Sequence, residues 1–320
     1  GIVFVSIHYR LGAEGFSVLD DAPRNLGLDD VAAALEWVHT EIAAFGGDPA
    51  QITAMGESAG GALVATLLAR DESRGMIARA IIESGPLEAQ TPAKAGRVTA
   101  QMAKRLGVRA DRASFAAIPP EQLLEARRQQ SAGSSPLGGA PGFQIAIEPE
   151  SLPRSPHDVL GAIDTPLLIG TNTDEYRLWF PPEALAGISE TKLFLASLAL
   201  RIPRRAVKAY RDEWPGASTG EVFGQLATDM ILRRGLTRVA RAKSASTFMY
   251  EFAWSSPVRD LRAAHALELG FVFDRLDDEE AQRLAGPDAP RDLAAEMNAA
   301  WVAFSTAGDP GWPAYGSDRT

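Results

Sequence analysis

Cysteine is missing from this 320-residue chain. Its absence excludes disulfides, thiolate metal sites and cysteine nucleophiles together, and it fits a reducing, cytoplasmic compartment. Histidine is scarce: four residues carry whatever imidazole chemistry there is. A basic excess is also absent, since 32 Lys and Arg against 41 Asp and Glu leave a net charge of −9. Without a basic stripe, nucleic acid is not an expected partner. No uninterrupted apolar run approaches the roughly 18 residues of a membrane span. The 29 glycines and 21 prolines follow no period, which excludes a collagen-like or low-complexity fibre.

What is present is a globular composition, 46% hydrophobic and 23% charged, with enough apolar surface to offset chain entropy. Ile2-Val3-Phe4-Val5-Ser6-Ile7 is a short β-branched run that reads as a strand buried on both faces. Leu28, Val31, Leu35, Val38 and Ile42 recur at steps of three and four and predict an amphipathic helix, ended by Gly46-Gly47 and a turn at Asp48-Pro49. A strand over Ile52–Met55, a helix over Ala59–Ala69 and a strand at Ala80–Ile82 continue the alternation. Helical stretches at Lys94–Leu106 and Glu121–Gln130 lead into the Gly/Ser/Pro-rich run Ser131–Gly142. Strand character returns at Pro166–Gly170, followed by a mostly helical block from Pro181 to Lys243 and a strand at Thr247–Phe252. Leu293, Met297, Ala300 and Phe304 mark a closing helix, stopped by Gly308 and Pro310. The pattern predicts one α/β domain over 1–320 with a mostly parallel sheet, helices on both faces, and helical insertions at about 88–160 and 181–245.

Gly56-Glu57-Ser58-Ala59-Gly60-Gly61 falls at the predicted strand-to-helix junction. Gly-x-Ser-x-Gly there permits a tight turn that lifts Ser58 above a sheet at the positive end of a helix, with the Ala59 N–H aimed at a developing oxyanion. A serine nucleophile needs a base. His8 closes the first run, His39 lies on the polar side of its helix, and His157 follows Ser-Pro at a turn. His265 lies in a loop after the strand Thr247–Phe252, where an α/β hydrolase places its histidine. The orienting acid belongs in a loop between the serine and the histidine, and Asp174-Glu175 after Pro166–Gly170 fits; on the residues alone either carboxylate serves. The order serine, acid, histidine is that of the hydrolases and differs from the chymotrypsin and subtilisin orders.

With these residues in view the chain resembles the type-B carboxylesterases, the family of bacterial para-nitrobenzyl esterases and of cholinesterases. The resemblance is carried by His8-Tyr9-Arg10-Leu11-Gly12, Asn25-Leu26-Gly27-Leu28-Asp29-Asp30, Ala34-Leu35-Glu36-Trp37-Val38 and Phe45-Gly46-Gly47-Asp48-Pro49. It continues through Gly56–Gly61, Gly170-Thr171-Asn172-Thr173-Asp174-Glu175, Trp301-Val302-Ala303-Phe304, Gly308-Asp309-Pro310 and Trp312-Pro313. It implies an α/β-hydrolase fold, a small-molecule ester as substrate, no cofactor and no metal. It also implies that Glu175 is the acid of the triad and that Glu57 is a buried carboxylate behind the nucleophile.

The sequence departs from the family in three places. His265-Ala266-Leu267-Glu268-Leu269-Gly270-Phe271 has alanine and glycine where the family has glycine and proline, so a changed loop around a retained imidazole is expected. Tyr176 replaces a glycine after the acid, which adds bulk and is expected to displace the neighbouring loop. Family members also begin well before Ile2, with a Gly-Gly loop that supplies further oxyanion donors. No such loop precedes Ser58, and Gly46-Gly47 belongs to another turn. The expectation is an N-terminally truncated piece of a larger esterase, lacking its first strands and stopping shortly after Trp312-Pro313. Phe143, Trp179, Phe180, Phe271 and Phe273 are the aromatic candidates for a substrate pocket. The expected function is a serine carboxylesterase; the alternative is an inactive fragment or a non-catalytic, cholinesterase-like interaction protein.

Overall fold

Apolar spacing decides where the helices form, and continuous apolar runs decide the strands. The structure is a computed structural model that describes residues 1–131, 142–242 and 246–316. Nearly all of the Gly/Ser/Pro-rich run Ser131–Gly142, and the end of the helical block at Lys243, lie outside the described residues. The chain divides into two compact units, one of residues 1–80 with 87–165 and one of residues 81–86 with 166–320.

In the first unit, helix α1 (Leu26–Glu41) buries Leu28, Val31 and Leu35, as the three-four spacing requires. A tighter turn, Ile42–Phe45, continues it and ends at Gly46, which takes a left-handed φ of 83°. Asp48 then caps the turn Pro49–Gln51 by accepting from the Ala50 N–H at 2.9 Å. Strand β1 (Thr53–Glu57) leads directly into helix α2 (Ala59–Ala69), whose residues Leu63 to Leu68 are all buried. A helix apolar on every side belongs inside a core. Strand β2 (Arg79–Glu83) starts where the Ala78 N–H meets the Ile52 carbonyl at 2.9 Å. Helix α3 (Arg97–Leu106) packs Val98, Met102 and Ala103 against Phe115 and against Ala126 of helix α4 (Pro120–Ser131).

The run Ile2–Ile7 is not a strand. It has no regular secondary structure, and Phe4 is 69% exposed. Strand propensity expresses packing on a pleated surface more than a backbone preference. Among the described residues no neighbouring strand completes a ladder here, so the β-branched side chains alone do not make one.

In the second unit, strand β3 (Leu167–Asn172) is buried at all six positions. Burying each of Leu167, Leu168 and Ile169 contributes roughly 1.5–3 kcal/mol. Among the helices that follow are α5 (Glu190–Ala199), α6 (Arg204–Glu213), α7 (Thr219–Thr228) and α8 (Arg234–Ala242). A one-turn π-helix, Asp229–Arg233, joins the last two. Strand β4 (Thr247–Phe252) pairs parallel with β3, from Leu167 opposite Thr247 to Asn172 opposite Phe252. Helix α9 (Arg291–Ala307) buries Ala294, Trp301 and Phe304 and ends at Gly308 with φ 76°. Its Trp301 indole donates to buried Glu83 at 2.7 Å. No helix among the described residues is long and apolar enough to cross a membrane.

Candidate active site

Ser58 stands between the last residue of β1 and the first of α2, with φ 53° and ψ −115°. Such a conformation costs about 1–3 kcal/mol and persists where the surroundings leave no alternative. Here the chain must turn from strand to helix within one residue. The turn requires glycine at position 56: a Cβ there would lie 2.3 Å from the Gly60 carbonyl carbon and 2.4 Å from its oxygen. The Ala62 N–H closes the first helical turn on the Ser58 carbonyl at 3.0 Å. Ala59 is the first helical residue, so its amide is among the four that have no intrahelical acceptor and carry the positive end of the helix dipole. Glu57 ends β1 and is half-buried.

Glu175 opens a tight turn, Glu175–Leu178, just beyond β3, and is fully buried. Its Oε2 lies 2.5 Å from His265 Nδ1. Its Oε1 accepts from the Ser84 hydroxyl at 2.5 Å and the Asn172 N–H at 2.8 Å. These partners replace the water that the buried carboxylate loses. Facing a carboxylate, Nδ1 is the protonated nitrogen, and Nε2 is left as the acceptor a base requires. His265 is itself buried. Trp179 covers one face of its ring, with centroids 4.6 Å apart and planes tilted by 41°.

Backbone bonds join the two loops that carry this pair. The Asp174 N–H donates to the Ala263 carbonyl at 2.9 Å, and the Asn172 side-chain amide donates to the Ala264 carbonyl at 2.7 Å and to buried Glu268. From the π-helix, Arg233 donates to the Asn172 carbonyl at 3.0 Å and to the Thr171 hydroxyl at 3.2 Å, fixing the end of β3. Burial pushes the Asp174 carboxyl above the usual carboxylate range, and Arg262 and Arg177 offset this in part.

The loop around His265 does depart from an unstrained turn. Arg259, Asp260, Arg262 and Ala266 all have positive φ, between 48° and 63°. Ala266 therefore holds a left-handed position without the freedom of glycine. The bulk of Tyr176 is accommodated in the core. Its ring is buried against Gly224 of α7, where a Cβ would come within 2.2 Å of it, and burial pushes the phenol up to about 12.

Glu175 and His265 are thus brought together within the second unit, while Glu57, Ser58 and Ala59 are built by the first. The other histidines have different surroundings. His8 and His39 are exposed, and His157 lies 3.0 Å from the Ser155 hydroxyl and 3.1 Å from Asp158. Among the aromatic candidates, Trp179 rests on His265. Phe271 is core, packed against Phe252 and Trp254. Phe180 lies edge-on to Phe223, Phe143 packs in the α3–α4 cluster, and Phe273 is 41% exposed. Sequence reading missed Ser84, whose one signal is its place at the end of β2, and Arg177, described below.

The fold has close counterparts among solved structures. A para-nitrobenzyl esterase superposes with a TM-score of 0.80 at 33% identity, covering 96% of this chain and 66% of that one. A carboxylesterase of Geobacillus stearothermophilus gives 0.82 at 33% identity, covering 96% and 68%. Parallel strands, flanking helices and likeness of this degree define an α/β hydrolase. In sequence, the para-nitrobenzyl esterase of Bacillus subtilis (strain 168) is 34% identical over 98% of this chain and 67% of its own length. The phenmedipham hydrolase of Pseudarthrobacter oxydans is 29% identical over 99% and 67%. The chain belongs to the carboxylesterase family, whose profile it matches over residues 1–318. It spans about two thirds of the length of these relatives. Family and relatives together support ester hydrolysis of small-molecule substrates.

Proposed function

We propose that the protein is a serine carboxylesterase that works through an acyl-enzyme on Ser58, with His265 as general base and acid and Glu175 orienting it. The observation that carries this reading is the buried Glu175–His265 pair at 2.5 Å, with the remaining carboxylate oxygen held by Ser84 and Asn172. The strained turn at Ser58, at the head of α2, supports the nucleophile.

His265 Nε2 takes the Ser58 proton as Oγ attacks the ester carbonyl. The carbonyl oxygen becomes an oxyanion, toward which the Ala59 N–H donates, and one such donor is worth about 10²–10³ in rate. His265 then gives the proton to the departing alcohol as the carbonyl re-forms. Water, deprotonated by the same nitrogen, repeats the attack, releasing the acid and free Ser58. Glu175 orients the ring and stabilises the imidazolium. Glu57 is the half-buried last residue of β1, next in chain to the nucleophile.

The test is hydrolysis of a short para-nitrophenyl ester by the purified chain and by Ser58→Ala. The expected result is turnover in the first and a loss of about 10⁵- to 10⁶-fold in the second. Undiminished turnover in Ser58→Ala would refute the mechanism.

A further inference from the structure

The loop that delivers His265 is held in a conformation that its own residues do not favour. Arg259, Asp260 and Arg262 have φ of 48°, 53° and 51°, all left-handed and none glycine. L-residues remain there when neighbours over-determine the backbone. Two bonds between Ser256 and Arg262, at 3.1 and 3.2 Å, close the base of the loop. A further restraint comes from one side chain.

Arg177 follows Glu175 by two residues, and its guanidinium is 3% exposed. Nη1 donates both to the carbonyl of Asp260, at 3.2 Å, and to its carboxylate. Nη2 donates to Glu221 Oε1 at 2.6 Å, and Nε to the Tyr176 hydroxyl at 3.3 Å. Glu221 is itself fixed at the start of α7, where its other oxygen accepts from the Ser218 N–H at 2.8 Å and the Ser218 hydroxyl at 3.0 Å. Arg262 completes the cluster, 3.0 Å from Glu221 and 3.2 Å from Asp260. A continuous chain of charge-assisted bonds therefore runs from α7, through the residue beside the acid, into the strained loop before the histidine. Arginine suits this place because its planar fork has five donors and stays charged when buried.

We propose that Arg177 is a positioning residue: by gripping Asp260 and Glu221 it clamps the left-handed loop and so keeps the His265 imidazole on Glu175. The inference rests on the reading of His265 and Glu175 as base and acid. Arg177 acts through the backbone that carries them. Displacing a catalytic group by about 1 Å costs on the order of 10² in rate, so a clamp this close to the pair is expected to act on kcat.

The experiment uses the 320-residue chain as wild type, Arg177→Met, Arg177→Lys, Asp260→Asn, and Arg283→Met as control. Arg283 pairs with Glu279 at the exposed surface of its helix. Three quantities are read: the far-downfield NMR resonance of the His265 Nδ1 proton, kcat and KM on a short para-nitrophenyl ester, and the thermal midpoint. In Arg177→Met the resonance is expected to broaden or vanish and kcat to fall about tenfold to a hundredfold, with KM changed less than about threefold. Arg177→Lys should recover part of both, Asp260→Asn should fall between, and Arg283→Met should match wild type. A purely structural arginine would lower the midpoint without moving the resonance. Folded Arg177→Met with wild-type resonance and kcat overturns the proposal. Should that variant not fold, Asp260→Asn with wild-type resonance and kcat overturns it equally. A resonance present in wild type and lost in Arg177→Met, in a chain inert toward esters, would uphold the clamp while refuting the esterase reading.

Discussion

Each oxygen of Glu175 is committed. One faces His265 Nδ1, and the other takes the Ser84 hydroxyl and the Asn172 amide. That arrangement leaves the carboxylate no freedom to turn, which is what an orienting acid needs. Ala266, next in chain to the histidine, occupies φ 63°, a position that costs an L-residue roughly 1–2 kcal/mol. Ala266→Gly should therefore raise stability by about 1 kcal/mol, the relief of strain exceeding the added entropy of the unfolded chain. Urea unfolding with an unchanged slope measures it, and a loss of stability would contradict the strain. Ser58 and His265 were legible in the sequence because a motif and a count of four histidines single them out. Glu175 was separated from Asp174 by family resemblance, not by the residues alone. Ser84 and Arg177 were not legible, because their partners lie 91 and 83 residues away and no local pattern encodes the pairing.

Among the elements, α7 ties the strained loop to a helix start. Ser218 and Glu221 form a reciprocal capping box there, worth about 1 kcal/mol. Burial alone would raise the Glu221 carboxyl, but the Ser218 N–H and hydroxyl, with Arg262 and Arg177, outweigh it and hold the group below its ordinary value. A carboxyl depressed in the folded state stabilises the fold above its unfolded pKa of about 4.3 and loses that stabilisation as pH falls through the lower folded value. Glu221→Gln should accordingly be less stable than wild type by about 1 kcal/mol near neutral pH. The gap should close in acid, below the ordinary glutamate range. Thermal or urea unfolding across pH tests this, and a gap that persists or widens in acid would contradict it. Helix α2 and strand β4 have the boundaries that the sequence predicts, since each is set by strong local signals: an apolar stretch after a glycine turn, and an alternating aromatic run. Ile2–Ile7 carries an equally strong strand signal and makes none, because pairing depends on neighbours that periodicity does not describe. The π-turn Asp229–Arg233 gave no sign either; it reads as ordinary helix until its arginine is seen gripping the end of β3.

For the whole molecule, the alternation of strands and helices indicated an α/β fold, the serine motif and the family resemblance implied the hydrolase class, and the solved structures of relatives bear that class out. Family membership supports ester chemistry, whereas the residues that perform it are the account's own claim. That claim is tested most directly by trapping the nucleophile. The chain is treated with a fluorophosphonate, digested with trypsin and examined by mass spectrometry. The account predicts one adduct, on the peptide Asn25–Arg70 at Ser58, absent from Ser58→Ala and formed at least about 10³-fold more slowly in His265→Ala. Ester hydrolysis accompanied by an adduct on another residue, or by none at all, would contradict it.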